Sequence, residues 1–207
     1  MALSFCIVVA FVIHGFGPVS GAHIKAAVTI RLAATGRFPW RKVPTYVVAQ
    51  LGGAAVGGLL VVAVYGSGAV DQGLGGTVLA DGVSFGRGML IEALGTFLLM
   101  ITIMAVAVDS RAPLGWPGFL IGLTVVCEIL LVGPLTGGSV DPARTFGSDV
   151  VTALFGGAAA WSQLVVHWVG PLVRAGVAAV VYDLVAQSRA AETADEDAFT
   201  PTNDAGA

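Results

Sequence analysis

Five apolar runs, each near the length that crosses a bilayer as an α-helix, dominate the first 186 of the chain's 207 residues. A hydrocarbon core about 30 Å thick takes about 20 helical residues. Ala2–Val19, Val43–Tyr65, Met89–Val108, Pro117–Val132 and Trp161–Val185 meet that length approximately. Composition excludes a water-soluble alternative. Apolar residues make up 56% of the chain and charged ones 11%, against about 25% charged in a typical soluble domain. Six of the 23 charged residues lie in the last 21 positions, so 17 serve the first 186, too few to cover a soluble surface. Mean hydropathy is +0.88. The fold class expected is an all-α integral membrane protein. Two shorter stretches, Ile24–Leu32 and Pro142–Leu154, follow Gly-rich turns and cannot span. They are predicted to be re-entrant half-helices, which a membrane protein tolerates where they line an internal cavity.

Charge placement predicts orientation. Arg31, Arg37, Arg41 and Lys42 crowd the connection before the second run, Arg111 lies between the third and fourth, and Arg189 follows the fifth. These regions share one side, and only Arg87 lies on the other. Basic excess marks the cytoplasmic side, so the N-terminus is expected outside. Residues 187–207, with five acidic residues against Arg189, are expected to form a disordered acidic cytoplasmic tail. The chain is not basic enough for nucleic acid. Cys6 and Cys127 lack disulfide or metal spacing. There is no nucleotide loop, metal-spaced His/Cys cluster or Ser/His/Asp set, so no enzyme activity, cofactor or metal is expected.

A shift of 116 residues partly lays the chain on itself. Gly17-Pro18 falls on Gly133-Pro134, Gly21 on Gly137, Lys25 on Asp141, Ala27 on Ala143 and Thr29 on Thr145. With one residue of slippage, Tyr65 falls on Tyr182. Each copy reads span, half-helix, span, and an odd span count inverts the second copy, with the pathway at the midplane between repeats. The run Met89–Val108 has no partner in the first repeat, so the symmetric plan is one N-terminal helix short.

The residues Ser20-Gly21-Ala22-His23-Ile24-Lys25-Ala26-Ala27-Val28-Thr29 resemble the first signature of the aquaporin and aquaglyceroporin family, SGAHxNPAVT. Gly137-Gly138-Ser139-Val140-Asp141-Pro142-Ala143-Arg144 with Gly147 resembles its second, GGSxNPARxxG. The resemblance covers roughly residues 1–186, read as one channel domain, with Glu92, Trp168 and Pro171 also placed as in the family. It implies half-helices meeting at mid-membrane, one pore per subunit, homotetramers once the absent helix is restored, and passive flow of water or small neutral solutes. Lipid and solute are then the partners, in the plasma membrane. Residue by residue, it implies a pore midplane of Lys25, Ala26, Ala27, Asp141, Pro142 and Ala143 and a selectivity filter of Phe5, Ile129, Gly138 and Arg144. His23 becomes a pore-lining loop residue, and Glu92 a buried tether of the second loop. A filter with Ile129 and Gly138 resembles the solute-conducting branches that pass glycerol, urea or metalloid acids, whereas Thr145 and His167-Trp168 resemble the water-selective branch.

The departures matter as much. Lys25 and Asp141 stand where the family has asparagines, Ala26 replaces its first proline, and Glu128 and Arg174 add charges within spans. Aspartate is a good helix N-cap, whereas lysine has no acceptor with which to cap. A charge at the bilayer centre costs about 2.5–3.5 kcal/mol on insertion scales, so a Lys25–Asp141 ion pair is expected. Two functional readings follow. One is a passive channel for water or small uncharged solutes. The other is a non-conducting relative, degenerate, partial, or packing with a complete homologue, favoured by the charged midplane and the absent helix.

Overall fold

The computed structural model describes residues 2–113, 115–169 and 177–186. Every regular element among them is helical. The order is α1 (Ala2–Ser20), α2 (Ala26–Ala34), α3 (Val43–Tyr65), the single turn α4 (Gly68–Asp71), α5 (Phe85–Ile103), α6 (Pro117–Leu131), α7 (Gly133–Thr136) and α8 (Pro142–Leu154). Helix follows over 164–169 and Val177–Ala186. Ala2–Ser20, Trp40–Tyr65 and Phe85–Val108 are long and apolar enough to cross a membrane. α6 has 15 residues, about 22 Å of rise, and α7 carries it on, Thr136 N bonding back to Val132 O. Pro171, Arg174 and the acidic tail lie outside the described residues.

Two helix starts differ from the sequence expectation, and α2 also runs on to Ala34. α2 begins at Ala26 rather than Ile24, because Lys25 is extended (φ −122°, ψ 131°). α5 begins at Phe85 rather than Met89. Ser84 caps it, its hydroxyl accepting from Arg87 N at 3.4 Å. The apolar run begins late because Gly86, Arg87 and Gly88 interrupt it, but a cap and backbone bonds start a helix regardless of polarity.

The 116-residue repeat is visible in the packing. Gly122 is the repeat equivalent of Cys6, and the two meet: a Cβ on Gly122 would lie 2.6 Å from the Cys6 carbonyl oxygen. Val9 and its equivalent Val125 share one apolar cluster with Leu99 and Ile121. Equivalent residues touch only near a two-fold axis, so the pseudo-axis runs between α1 and α6. Small residues there allow the close helix approach that drives association in lipid. The half-helices dock similarly. On α8, Gly147 abuts Ala54 of α3, and Val151 abuts Gly58. On α2, Val28 and Leu32 pack with Met100, Met104, Ala178 and Ala179. Even the turns repeat: Gly21 (φ 76°) and Ala22 (φ 47°) match Gly137 (φ 78°) and Gly138 (φ 60°). Ala22 tolerates a left-handed conformation that usually falls to glycine.

Candidate functional site

The heads of α2 and α8 meet at the centre of the molecule. Each N-terminus presents unsatisfied N–H groups and a positive dipole end. At α8, Asp141 Oδ1 accepts from Ala143 N at 3.1 Å, with Pro142 at the first helical position. The Asp141 carboxylate also faces the Ala26 backbone N–H at the head of α2, so the one side chain lies between both helix starts. Ala26, Ala27, Pro142 and Ala143 are all buried around it. Lys25 makes no side-chain cap on α2. Its Nζ reaches Glu128 Oε2 of α6 at 3.9 Å, and the Glu128 side chain is fully buried. The expected Lys25–Asp141 pair therefore gives way to Lys25–Glu128, with Asp141 acting on the ammonium at longer range. The reason is availability. Asp141 is occupied by backbone donors, whereas neither oxygen of Glu128 accepts a hydrogen bond among the described residues.

Two cavities lie either side of this junction. The inner one, ≈ 480 Å³, has Lys25, Val28, Leu32 and Arg37 on one wall and Val9, Leu99, Ile103 and Val125 among those opposite. The outer one, ≈ 1420 Å³, takes in Asp141, Ala143, Arg144 and Ser148 of α8, together with faces of α1 and α3. The two half-helices thus run away from their meeting point along different cavities. His23 lines both, its ring between Phe38 (4.8 Å) and Tyr46 (5.6 Å). At the inner mouth, Arg37 holds Asp183 through two hydrogen bonds of 3.0 and 2.7 Å. Nearby on that side, the Arg111 guanidinium and the Tyr182 hydroxyl hold the Asp109 carboxyl below the usual carboxylate range.

Of the four filter positions, Phe5 and Arg144 line the outer cavity together. Arg144 Nη2 donates to Gly75 O at 3.1 Å, while Nη1 has no partner among the described residues. Gly138 lies in the second loop against Gly133, with the Ile129 Cα behind it. Ile129 lines neither described cavity, packing instead against the Val9–Val125 cluster.

Glu92 lies fully buried under the second loop. Its Oε1 accepts from Thr136 Oγ1 at 2.5 Å and Ser139 N at 3.1 Å, and its Oε2 from Val140 N at 2.7 Å. His167 Nδ1 lies 3.4 Å from Oε1. A hydroxyl chain completes this network: Thr145 bonds Ser139 at 2.6 Å and Thr77 at 2.7 Å.

The sequence reading missed three contributors. Glu128 stands in the sequence expectation as an added charge with no named partner; a lone acid in a span, opposite in sign to a lone base, is the available signal. Gln50 donates to Thr29 Oγ1 at 2.9 Å and to His23 O, tying α3 to the first loop. It is the equivalent of His167 under the slipped repeat, which was a usable signal. The Gly75 carbonyl on Arg144 had none, because residues 66–84 have no counterpart in the repeat.

A sequence model described as major intrinsic protein matches residues 1–182. The chain is 46% identical over 188 residues to a probable aquaporin AqpM of Archaeoglobus fulgidus, covering 90% of this chain and 76% of that protein. It is 44% identical over 183 residues to aquaporin AqpM of Methanothermobacter marburgensis, covering 88% and 74%. The X-ray structure of the aquaglyceroporin from Plasmodium falciparum superposes with a TM-score of 0.73 at 26% identity, over 87% of this chain and 78% of that one.

Proposed function

The chain belongs to the major intrinsic protein family as a multi-pass membrane channel for passive flow of water or small uncharged solutes, and we propose that its pore admits polyol- or urea-sized molecules as well as water. One observation carries this reading: two half-helices from equivalent repeats set their heads between an inner and an outer cavity. The outer passage is flanked by Phe5 and by Arg144, whose Nη1 has no partner among the described residues. Such a passage offers one strong donor and apolar walls, which suits a solute with hydroxyl or amide groups on a small carbon frame. Metalloid acids fit the same description. The basic connections support a cytoplasmic inner mouth and tail in the plasma membrane, and the exposed apolar faces support assembly as a homotetramer.

Stopped-flow measurements on proteoliposomes test this. Vesicles with the protein should shrink faster in a sucrose gradient than empty ones and re-swell in glycerol or urea. Rates equal to those of empty vesicles for water and both solutes would sink it. One observation favours the second, non-conducting reading. The outer cavity opens between α1 and α3, whose spans are 11% and 6% buried, against 39% for Phe85–Val108. An apolar helix in that gap would complete the wall, and flux only in its presence would decide for the second reading in the isolated chain.

A further inference from the structure

The buried Glu128 is the charged group that the channel reading leaves unused. Its side chain is fully buried in α6, neither carboxylate oxygen accepts a hydrogen bond among the described residues, and it lines neither cavity. Lys25, 3.9 Å away, does line the inner cavity. Among the described residues no carboxylate lines that cavity, and its Arg37 is held by Asp183. The ion pair is too long for a direct hydrogen bond, and its Glu128 end is fully buried while Lys25 is partly exposed. Pairs of this kind are weak contributors to stability, so stability does not explain it.

Charge balance does. Among the described residues three cations stand along the pathway, Lys25, Arg37 and Arg144; with Arg37 held by Asp183, Lys25 and Arg144 face two carboxylates, Asp141 at the junction and Glu128 behind Lys25. Asp141 offsets the positive dipole ends that would repel cations in a neutral-capped pore. The Lys25 ammonium restores a positive charge beside the junction, and Glu128 keeps it from becoming an anion site.

We propose that Glu128 is a positioning residue that holds Lys25 against the α6 wall, and that this pair sets the pore's charge selectivity by keeping the midplane neutral to anions and cations alike. The proposal rests on the channel reading. It makes a sign-specific prediction that a merely structural pair would not. Glu128→Gln leaves an uncompensated ammonium facing the inner cavity, so small anions should pass. Lys25→Gln removes the cation beside the Asp141 carboxylate, so small cations should pass. The double variant should again pass neither.

The test is planar-bilayer and vesicle flux of the full chain under a KCl gradient, with water-driven shrinkage recorded on the same vesicles. Wild type should show ion conductance at background. Glu128→Gln should raise conductance about tenfold or more with a chloride-directed reversal potential, and Lys25→Gln should do the same with a potassium-directed one, because a unit charge at this range in a poorly screened site far exceeds thermal energy. Reversal potentials of the same sign in both single variants, or background conductance in both, would overturn the proposal. Absence of water flux in wild type would instead count against the channel reading. If a single variant fails to fold, the exchanged pair, Lys25→Glu with Glu128→Lys, should fold as wild type and stay ion-tight. Its failure to fold, or a double-mutant cycle in thermal unfolding that is additive, would equally overturn it.

Discussion

The two re-entrant segments are equivalent by sequence repeat and by backbone turn, yet they are held by different physics. The second loop is fixed by polar satisfaction. Glu92 takes two of its backbone N–H groups and a hydroxyl, Ser139 and Thr145 bond each other, and Asp141 caps α8. The first loop has no capping side chain at Lys25. It relies on Gln50, on the rings of Phe38 and Tyr46 around His23, and on apolar burial of Val28 and Leu32. The helices differ accordingly, 13 residues for α8 against 9 for α2. The same backbone can thus be reached by satisfying its donors or by packing its sides. Only the first route makes the segment depend on a single buried residue.

The largest expected effect tests that dependence. Glu92→Leu strands the Ser139 and Val140 N–H groups in a dry interior and leaves the Thr136 hydroxyl only the Val132 carbonyl at 3.4 Å. At about 1–3 kcal/mol per unsatisfied group, the loss should be about 3 kcal/mol or more, measured by thermal or detergent-denaturant unfolding. A loss under about 1 kcal/mol would mean that the second loop, like the first, is held mainly by packing.

Asp141→Ala should come next. It removes the α8 cap, at about 0.5–2 kcal/mol, and leaves the Ala26 N–H without its acidic partner. Asp141→Asn keeps a capping oxygen and should lie within about 1 kcal/mol of wild type, since Lys25 has Glu128 as its counter-ion and is not orphaned. Equal losses for alanine and asparagine would show that the carboxylate charge, not the cap, is what the junction needs.

The corresponding change in the first repeat is Gln50→Leu. It deprives the Thr29 hydroxyl and the His23 carbonyl of a donor but leaves the apolar contacts of α2 in place. About 1 kcal/mol should be lost, well below the Glu92→Leu value. Parity between the two would erase the asymmetry.

How far the sequence could foresee this follows from the same contrast. Run length and Gly-rich turns were enough to place the helices of the first four runs and both half-helices, because lipid forbids unsatisfied backbone and allows few alternatives; the middle of the fifth run lies outside the described residues. The repeat located Lys25 and Asp141 as equivalent positions at one junction. It misled on their pairing, because a repeat relates positions, whereas an ion pair forms with the nearest carboxylate that has nothing else to bind, here Glu128. Contacts such as Thr77 with Thr145, or Gly75 with Arg144, come from the long connection 66–84. That connection has no periodicity to read, and its course is fixed by side chains of α8 together with the oxygens of Gln163 and Leu135 that accept from Leu79 N and Ala80 N.

The smallest expected effect is a gain, and it probes the uncapped helix directly. Lys25→Asn combined with Glu128→Gln places a capping oxygen at the head of α2 and removes a buried ion pair in the same step. The cap alone contributes about 0.5–2 kcal/mol where it can form, and removing both charges lifts the desolvation cost of the buried pair. Against this, Asp141 already serves the Ala26 N–H, so part of the cap's benefit is in place and the net gain should be about 0.5–1 kcal/mol. Lys25→Asn alone should not show it, because the stranded Glu128 carboxylate costs more than the cap returns. If the double variant were instead less stable than wild type, the ion pair would be a genuine stabiliser of α2. The first half-helix would then hang on a buried charge as the second hangs on Glu92, and the difference between the two repeats would lie in the identity of the anchoring residue rather than in the kind of force.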